Sequence, residues 1–223
     1  MIPKEKFENA LHVTLLVDEK SFAKGSALYT FLLTQHKKVS LVSKEKKLSL
    51  KFSFLPWYDK VRTKIPSSSD FIYDVSLSVE VLYSFFQENN YKINKKMAEA
   101  LYSALLCEFD FFRSSKVDGT VFALASELIA LGAEHTKARE YLFFSKSLSS
   151  FRIASILAQN MQLKENATCA EVTITTQELE MCGATLQECV DWMYECLHVV
   201  HVTQVSLLKK DENNKIIKTI KDI

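Results

Sequence analysis

The sequence predicts an α/β protein, with a parallel sheet flanked by helices and a smaller C-terminal α/β unit. Three observations lead there. Two short, apolar, β-branched runs, His12–Val17 and residues 38–42, bracket a helix-length segment at 21–35; strand, helix, strand at these lengths argues for a parallel sheet. From Leu77 to Phe144, four segments place apolar residues every three or four positions, the pattern of helices lying on a core. Past Ala167, strand and helix signals alternate again at shorter length.

Element by element, the reading runs as follows. After the two buried strands, Leu48, Leu50, Phe52 and Phe54 alternate with Ser and Lys and predict a third strand with one face covered; residues 71–75 predict a short fourth. Ser78 opens a helix that stops at the polar run Gln87 to Asn90. A second helix begins at Lys95 with Met97, Leu101 and Leu105 on one face, and a third spans 121–131, closed by Gly132, the residue a left-handed C-terminal cap prefers. His135 sits just before a helix start at Thr136 and reads as surface polar. Residues 147–163 predict a connecting helix and 170–174 a strand. Thr175 with Glu178, and Thr185 with Glu188, are capping boxes, and Gly183 closes the first of these helices. Residues 199–208 and 215–220 predict strands flanking a hairpin at Asp211 to Asn214.

Bulk composition excludes several classes. The 223 residues are 48% hydrophobic and 25% charged, with a net charge of +1, so the electrostatic footprint of a nucleic-acid binder is missing. The lysine runs at 44–47, 92–96 and 209–221 read as solvated faces. No apolar run reaches the roughly eighteen residues of a membrane span, and the segment opening at Met1 lacks the apolar stretch of a signal peptide, so a cytoplasmic protein is expected. Five cysteines without a Cys-x-x-Cys pair fit a reducing compartment. Cys182, Cys189 and Cys196 fall seven apart near His198 and His201, a spacing that matches no structural zinc pattern and reads as core cysteine. His12 and His36 pair with no nucleophile by sequence alone. No G-x-S-x-G elbow occurs, and Lys24-Gly25-Ser26 is only a fragment of a phosphate-binding loop.

Residues 100–113, ALYSALLCEFDFFR, preceded by SVEVLY from Ser78 to Tyr83, carry a resemblance. They resemble the DHH phosphoesterases, in particular the nanoRNase type that hydrolyses short oligoribonucleotides and 3′-phosphoadenosine 5′-phosphate, where S-T-A-E-x-L-Y precedes A-L-Y-T-G-I-L-x-D-T-G-x-F-R. Residues 173–185 likewise resemble the opening of the DHH-associated domain. The resemblance implies a DHH-like α/β domain over 1–146, a connecting helix at 147–166 and a truncated associated domain at 167–223, because the glycine-rich loop that ends that domain has no counterpart.

Members of that family bind two manganese ions through clustered aspartates and histidines, which cancel the metal charge while the pair polarises a phosphoryl oxygen and generates a hydroxide. Aligning Gly25-Ser26-Ala27-Leu28 with the family's G-S-A-L puts Leu16 at the histidine position and Lys20 and Phe22 at the two aspartates. The loop carrying a further aspartate has no counterpart, and Pro56, Trp57 and Tyr58 stand where D-H-H is expected. Glu108 alone keeps a carboxylate, and Asp110 replaces the motif's glycine. The resemblance thus implies no metal, no cofactor and no catalytic residue. The expectation is a pseudoenzyme acting through a protein partner. Trp57 and Tyr58 either fill the vacated cleft or form the candidate partner-binding patch, and Glu108 and Asp110 lie in a solvated loop or bond Arg113. The alternative is a manganese-dependent phosphodiesterase or phosphatase whose rearranged site draws at least three carboxylates from Asp18, Glu19, Asp59, Asp74, Glu108 and Asp110. A metal-free nucleotide or RNA binder is disfavoured by the net charge.

Overall fold

The computed structural model describes residues 2–45, 48–143, 147–213 and 215–221. The chain divides into two compact units, Met1–Ser145 and Lys146–Ile223. In the first, β1 (His12–Val17), β2 (Lys38–Ser43) and β3 (Phe71–Asp74) form a wholly parallel sheet in the order β2-β1-β3. The segment expected as a fourth strand is thus the third, lying beside β1.

Alternation along β1 sends Val13, Leu15 and Val17 into the core. There they meet α2 (Phe22–Thr34) so closely that a Cβ on Gly25 would stand 2.4 Å from Val17 Cγ1. Only glycine permits that approach. His12, on the alternate positions of the strand, bonds Ser40 Oγ through Nε2 and Ser68 Oγ through Nδ1, each at 2.9 Å. Segment 61–70 is tied to the sheet by Arg62 N donating to Leu41 O at 2.8 Å and Asp70 N donating to His12 O at 3.1 Å. A short helix, α1 (Lys4–Asn9), sets Phe7 edge-on to Phe71 and Tyr73.

The expected third strand is not formed. Leu48, Phe52 and Leu55 are buried whereas Leu50 is 66% exposed, so the buried positions recur at four and three. That is a helical period, which a two-residue reading of alternating Leu, Phe, Ser and Lys mistakes for a strand. The segment instead makes 3₁₀ turns at Leu50–Phe52 and Tyr58–Lys60.

Helices α3 (Val79–Glu88), α4 (Lys95–Glu108), α5 (Gly119–Ala130) and α6 (His135–Phe143) follow; Phe144, the expected end of this stretch, lies outside the described residues. Ser78, Asn94 and Asp118 cap the first three through their side chains. Gly132, at φ 103°, turns the chain after α5. His135 opens α6 and its Nδ1 lies 2.7 Å from Tyr102 Oη.

In the second unit, α7 (Leu148–Gln159) ends earlier than the sequence suggests, because Asn160 Nδ2 donates to Thr173 O and Glu178 Oε1, both at 3.1 Å, and turns the chain into β4 (Met161–Lys164). The helix contributes Ile153 and Leu157 to this unit's core. β5 (Cys169–Ile174), β6 (Gln204–Lys209) and β7 (Lys215–Lys221) complete a sheet in the order β4-β5-β6-β7, parallel only between β5 and β6. β6 begins at Gln204 rather than Val199, since His201 is left-handed at φ 72° and breaks the extended run. Both capping boxes form, opening α8 (Thr176–Cys182) and α9 (Leu186–Cys196), and Gly183 closes α8 at φ 62°. Asn214, in the expected hairpin, is outside the described residues. Cys182, Cys189 and Cys196 are core residues, whereas His198 is exposed and 3.4 Å from Glu195.

Candidate functional site

In a parallel α/β sheet, ligands bind at the carboxyl ends of the strands. Here those ends deliver Asp18 after β1, Lys44 after β2 and Asp74 at the end of β3. The Lys44 ammonium is 2.6 Å from Asp74 Oδ1 and 3.9 Å from Asp18 Oδ2. Burial pushes the Asp18 carboxyl up. The Ser21 hydroxyl and N–H, with the Lys44 charge, outweigh this and hold it below the usual carboxylate range.

The positions carried over by the resemblance have other occupations. Leu16 is half-buried in β1, and Lys20 is exposed in the turn before α2. Phe22 is fully buried, its ring centroid 5.7 Å from that of Phe52 and 5.8 Å from that of Tyr58. Pro56 O accepts from Ser26 Oγ at 2.7 Å. Trp57 adopts φ 70°; its Nε1 donates to Thr30 Oγ1 at 2.8 Å, Tyr29 lies against its ring at 5.0 Å, and the Lys96 ammonium stands 5.0 Å above it. Tyr58 Oη donates to Leu48 O at 3.0 Å, and burial, then the Asp59 charge, raises its pKa. Trp57 and Tyr58 are half-buried, with their polar atoms bonded inside the first unit.

Glu108, at the end of α4, accepts on Oε2 from Lys24 Nζ and from Val79 N, both at 3.1 Å. It thereby joins the first turn of α2 to the N-terminus of α3, where a negative charge is stabilising. Asp110 pairs with Arg113 Nη2 at 3.0 Å, and it opens a left-handed run with φ 46°, 54° and 66° at Asp110, Phe111 and Phe112. That left-handed backbone is of the kind glycine adopts most readily. Glu19 pairs with Lys51, and Asp59 is exposed.

Sequence reasoning missed the cations, Lys24, Lys44 and Lys51. Lys44 was legible as the residue following a strand end. Of the six carboxylates that could build a rearranged site, Asp18 and Asp74 share one ammonium, while Glu19, Glu108 and Asp110 each hold a separate cation. Among the described residues no group of three or more His, Cys, Asp or Glu side chains is placed to hold a metal ion. This donor set, already neutralised by lysine and arginine, does not fit a manganese pair, which needs a dense, uncompensated cluster of carboxylates and imidazoles.

Among the described residues no helix is long and apolar enough to cross a membrane. No family model and no curated protein matches the chain. Among solved structures, a protein from Methanococcus jannaschii assigned to the family II inorganic pyrophosphatases is 12% identical and covers 89% of this chain and 83% of its own, with a TM-score of 0.35, too low to bear on fold. An exopolyphosphatase-related protein from Bacteroides fragilis is 14% identical and superposes with a TM-score of 0.78 over 96% of this chain and 79% of its own. At that identity the likeness is one of fold, and it agrees with the α/β architecture of a parallel sheet flanked by helices with a smaller second sheet.

Proposed function

We propose that this chain is a catalytically inactive, DHH-phosphoesterase-like protein, degenerate from the nanoRNase type, that acts in the cytoplasm by binding a protein partner without a metal or other cofactor. The lysine set carries the reading. Lys44 holds both strand-end carboxylates, and Lys24 holds Glu108, the one family carboxylate that remains. A divalent cation entering there would have to displace or face an ammonium, and like charges at a few ångströms repel strongly where water is partly excluded. Phe22 and Tyr58 add bulk at positions where the resemblance expects ligands.

A second reading is a divalent-metal-dependent phosphodiesterase or phosphatase acting on short oligonucleotides or nucleotides. It is favoured by the pairing of Asp18 and Asp74 at the strand ends and by the fold shared with an exopolyphosphatase-related protein. Manganese titration calorimetry, with ribodinucleotide hydrolysis followed in the same samples, separates the two. Neither heat nor product is expected; tight binding with turnover would establish the second reading. Trp57 and Tyr58 are the candidate partner surface. A folded Trp57→Ala protein that holds its partner unchanged would remove that surface from consideration.

A further inference from the structure

Far from the strand ends, the first unit contains a cavity of about 160 Å³ lined by Lys4, Phe7 and Glu8 of α1, Phe31, Leu32 and Gln35 at the end of α2, Lys37, Phe85 of α3, and Tyr91. Its walls are aromatic: the Phe31 and Tyr91 rings lie 4.6 Å apart, Phe85 and Tyr91 5.7 Å, and Phe31 and Phe85 5.8 Å. Phe7, Phe31, Leu32 and Phe85 are buried, so this lining is fixed by the core.

Size and charge define the occupant. The pocket is half-open to solvent at its charged and polar residues, and its volume is close to the roughly 150 Å³ that holds one benzene-sized ring in a closed apolar cavity; aromatic walls favour offset or edge-on contact with such a ring. The rim carries Lys4 and Lys37. Lys4 Nζ donates to Asn89 Oδ1 at 2.6 Å, lies 3.9 Å from Glu8 and stands 5.8 Å over the Tyr91 ring. Lys37 Nζ donates to a neutral group, the backbone carbonyl of Glu8. Among the described residues the Lys37 ammonium is bonded only to that carbonyl, and an ammonium so placed beside an apolar wall suits a carboxylate carried on the ring that packs there.

We propose that this cavity is a binding site for a small aromatic carboxylate, the ring between Phe31, Phe85 and Tyr91 and the carboxylate on Lys37. The site is independent of whether the strand ends are catalytic. Phenylacetate is the probe, toluene the ring without the charge, and acetate the charge without the ring, each titrated by NMR into the intact protein. Phenylacetate and toluene are expected to shift the Tyr91 ring signals, and acetate is not. Lys37→Met should weaken phenylacetate about fivefold, the upper end of an exposed ion pair, with toluene unchanged. Leu32→Phe, a milder change than a tryptophan substitution, should occupy the cavity and remove both responses. Absence of a phenylacetate response, a response equal for Lys37→Met and wild type, or one that survives Leu32→Phe in a folded protein would each overturn the proposal.

Discussion

At the scale of single residues, the telling change is at Glu108. Its side chain is a connector, accepting from Lys24 on α2 and from the first N–H of α3. Its side chain is 27% exposed and that of Lys24 11%, so water screens the pair incompletely. Removing one partner strands the other, and hydrogen bonds to charged groups contribute about 1.5–3 kcal/mol. Glu108→Ala is therefore expected to lower stability by about 2 kcal/mol in urea unfolding, with Glu108→Gln losing less because an amide oxygen still accepts from Val79. A Glu108→Ala protein as stable as wild type would show that the bridge contributes nothing. Cys107, next in the chain, makes a second case. It is exposed, yet its thiol is pushed up to about 11, foremost by desolvation in the protein around it and then by the Glu19 charge, against the Lys51 and Lys24 ammoniums, which pull it down. Only the thiolate reacts, so iodoacetamide at pH 8 should modify Cys107 more slowly than an unfolded control, despite its access to solvent.

At the scale of elements, legibility followed how local the determining signal was. Capping boxes at Thr175 and Thr185, the cap at Ser78 and the glycine after α5 are written within a few residues and were readable. The segment around Phe52 was not, because its buried side is chosen by Phe22, thirty residues earlier, which packs against both Phe52 and Tyr58. The end of α7 was missed for the same reason: Asn160 is bonded by Thr173 and Glu178 from later elements. If Phe52 is a core anchor in a 3₁₀ turn, Phe52→Ala should cost about 3–5 kcal/mol, while Leu50→Ser should stay within about 0.5 kcal/mol; equal costs would restore the strand reading. The second unit also carries a pH signature in α9. Burial, then Glu188 and Glu195 respectively, pushes Cys189 up to about 12 and Cys196 to about 11. A group whose pKa is raised by folding contributes stability fully below its unfolded value and loses it as pH rises. The loss therefore begins near 9 and continues through 11 to 12, at about 1.4 kcal/mol per thiol per pH unit. Cys189→Val should flatten that alkaline slope in denaturation of the whole chain, and an unchanged slope would contradict the burial.

At the scale of the whole molecule, the shared fold and the donor set point in different directions, and charge decides between them. The fold is shared with an exopolyphosphatase-related protein at 14% identity. The strand ends nevertheless carry an ammonium between two carboxylates. This ion pairing was not legible in the sequence, since it joins residues at the ends of three strands. It makes a direct prediction. Lys44 is 37% exposed on its side chain, so Lys44→Ala should fold. Asp18 and Asp74 would then lose their shared cation and, repelling each other, would recruit a divalent ion or a proton. Wild-type protein should give no heat with manganese at millimolar concentration, whereas Lys44→Ala should bind one manganese ion with a Kd of about 10⁻⁴ to 10⁻³ M, the range of sparse carboxylate sites. Lys44→Arg, which keeps the charge, should stay silent. If all three proteins fail to bind, the two carboxylates are too far apart to share an ion and the lysine is a surface partner only. If wild type already binds, Lys44 does not guard the site, and the inactive reading falls with it.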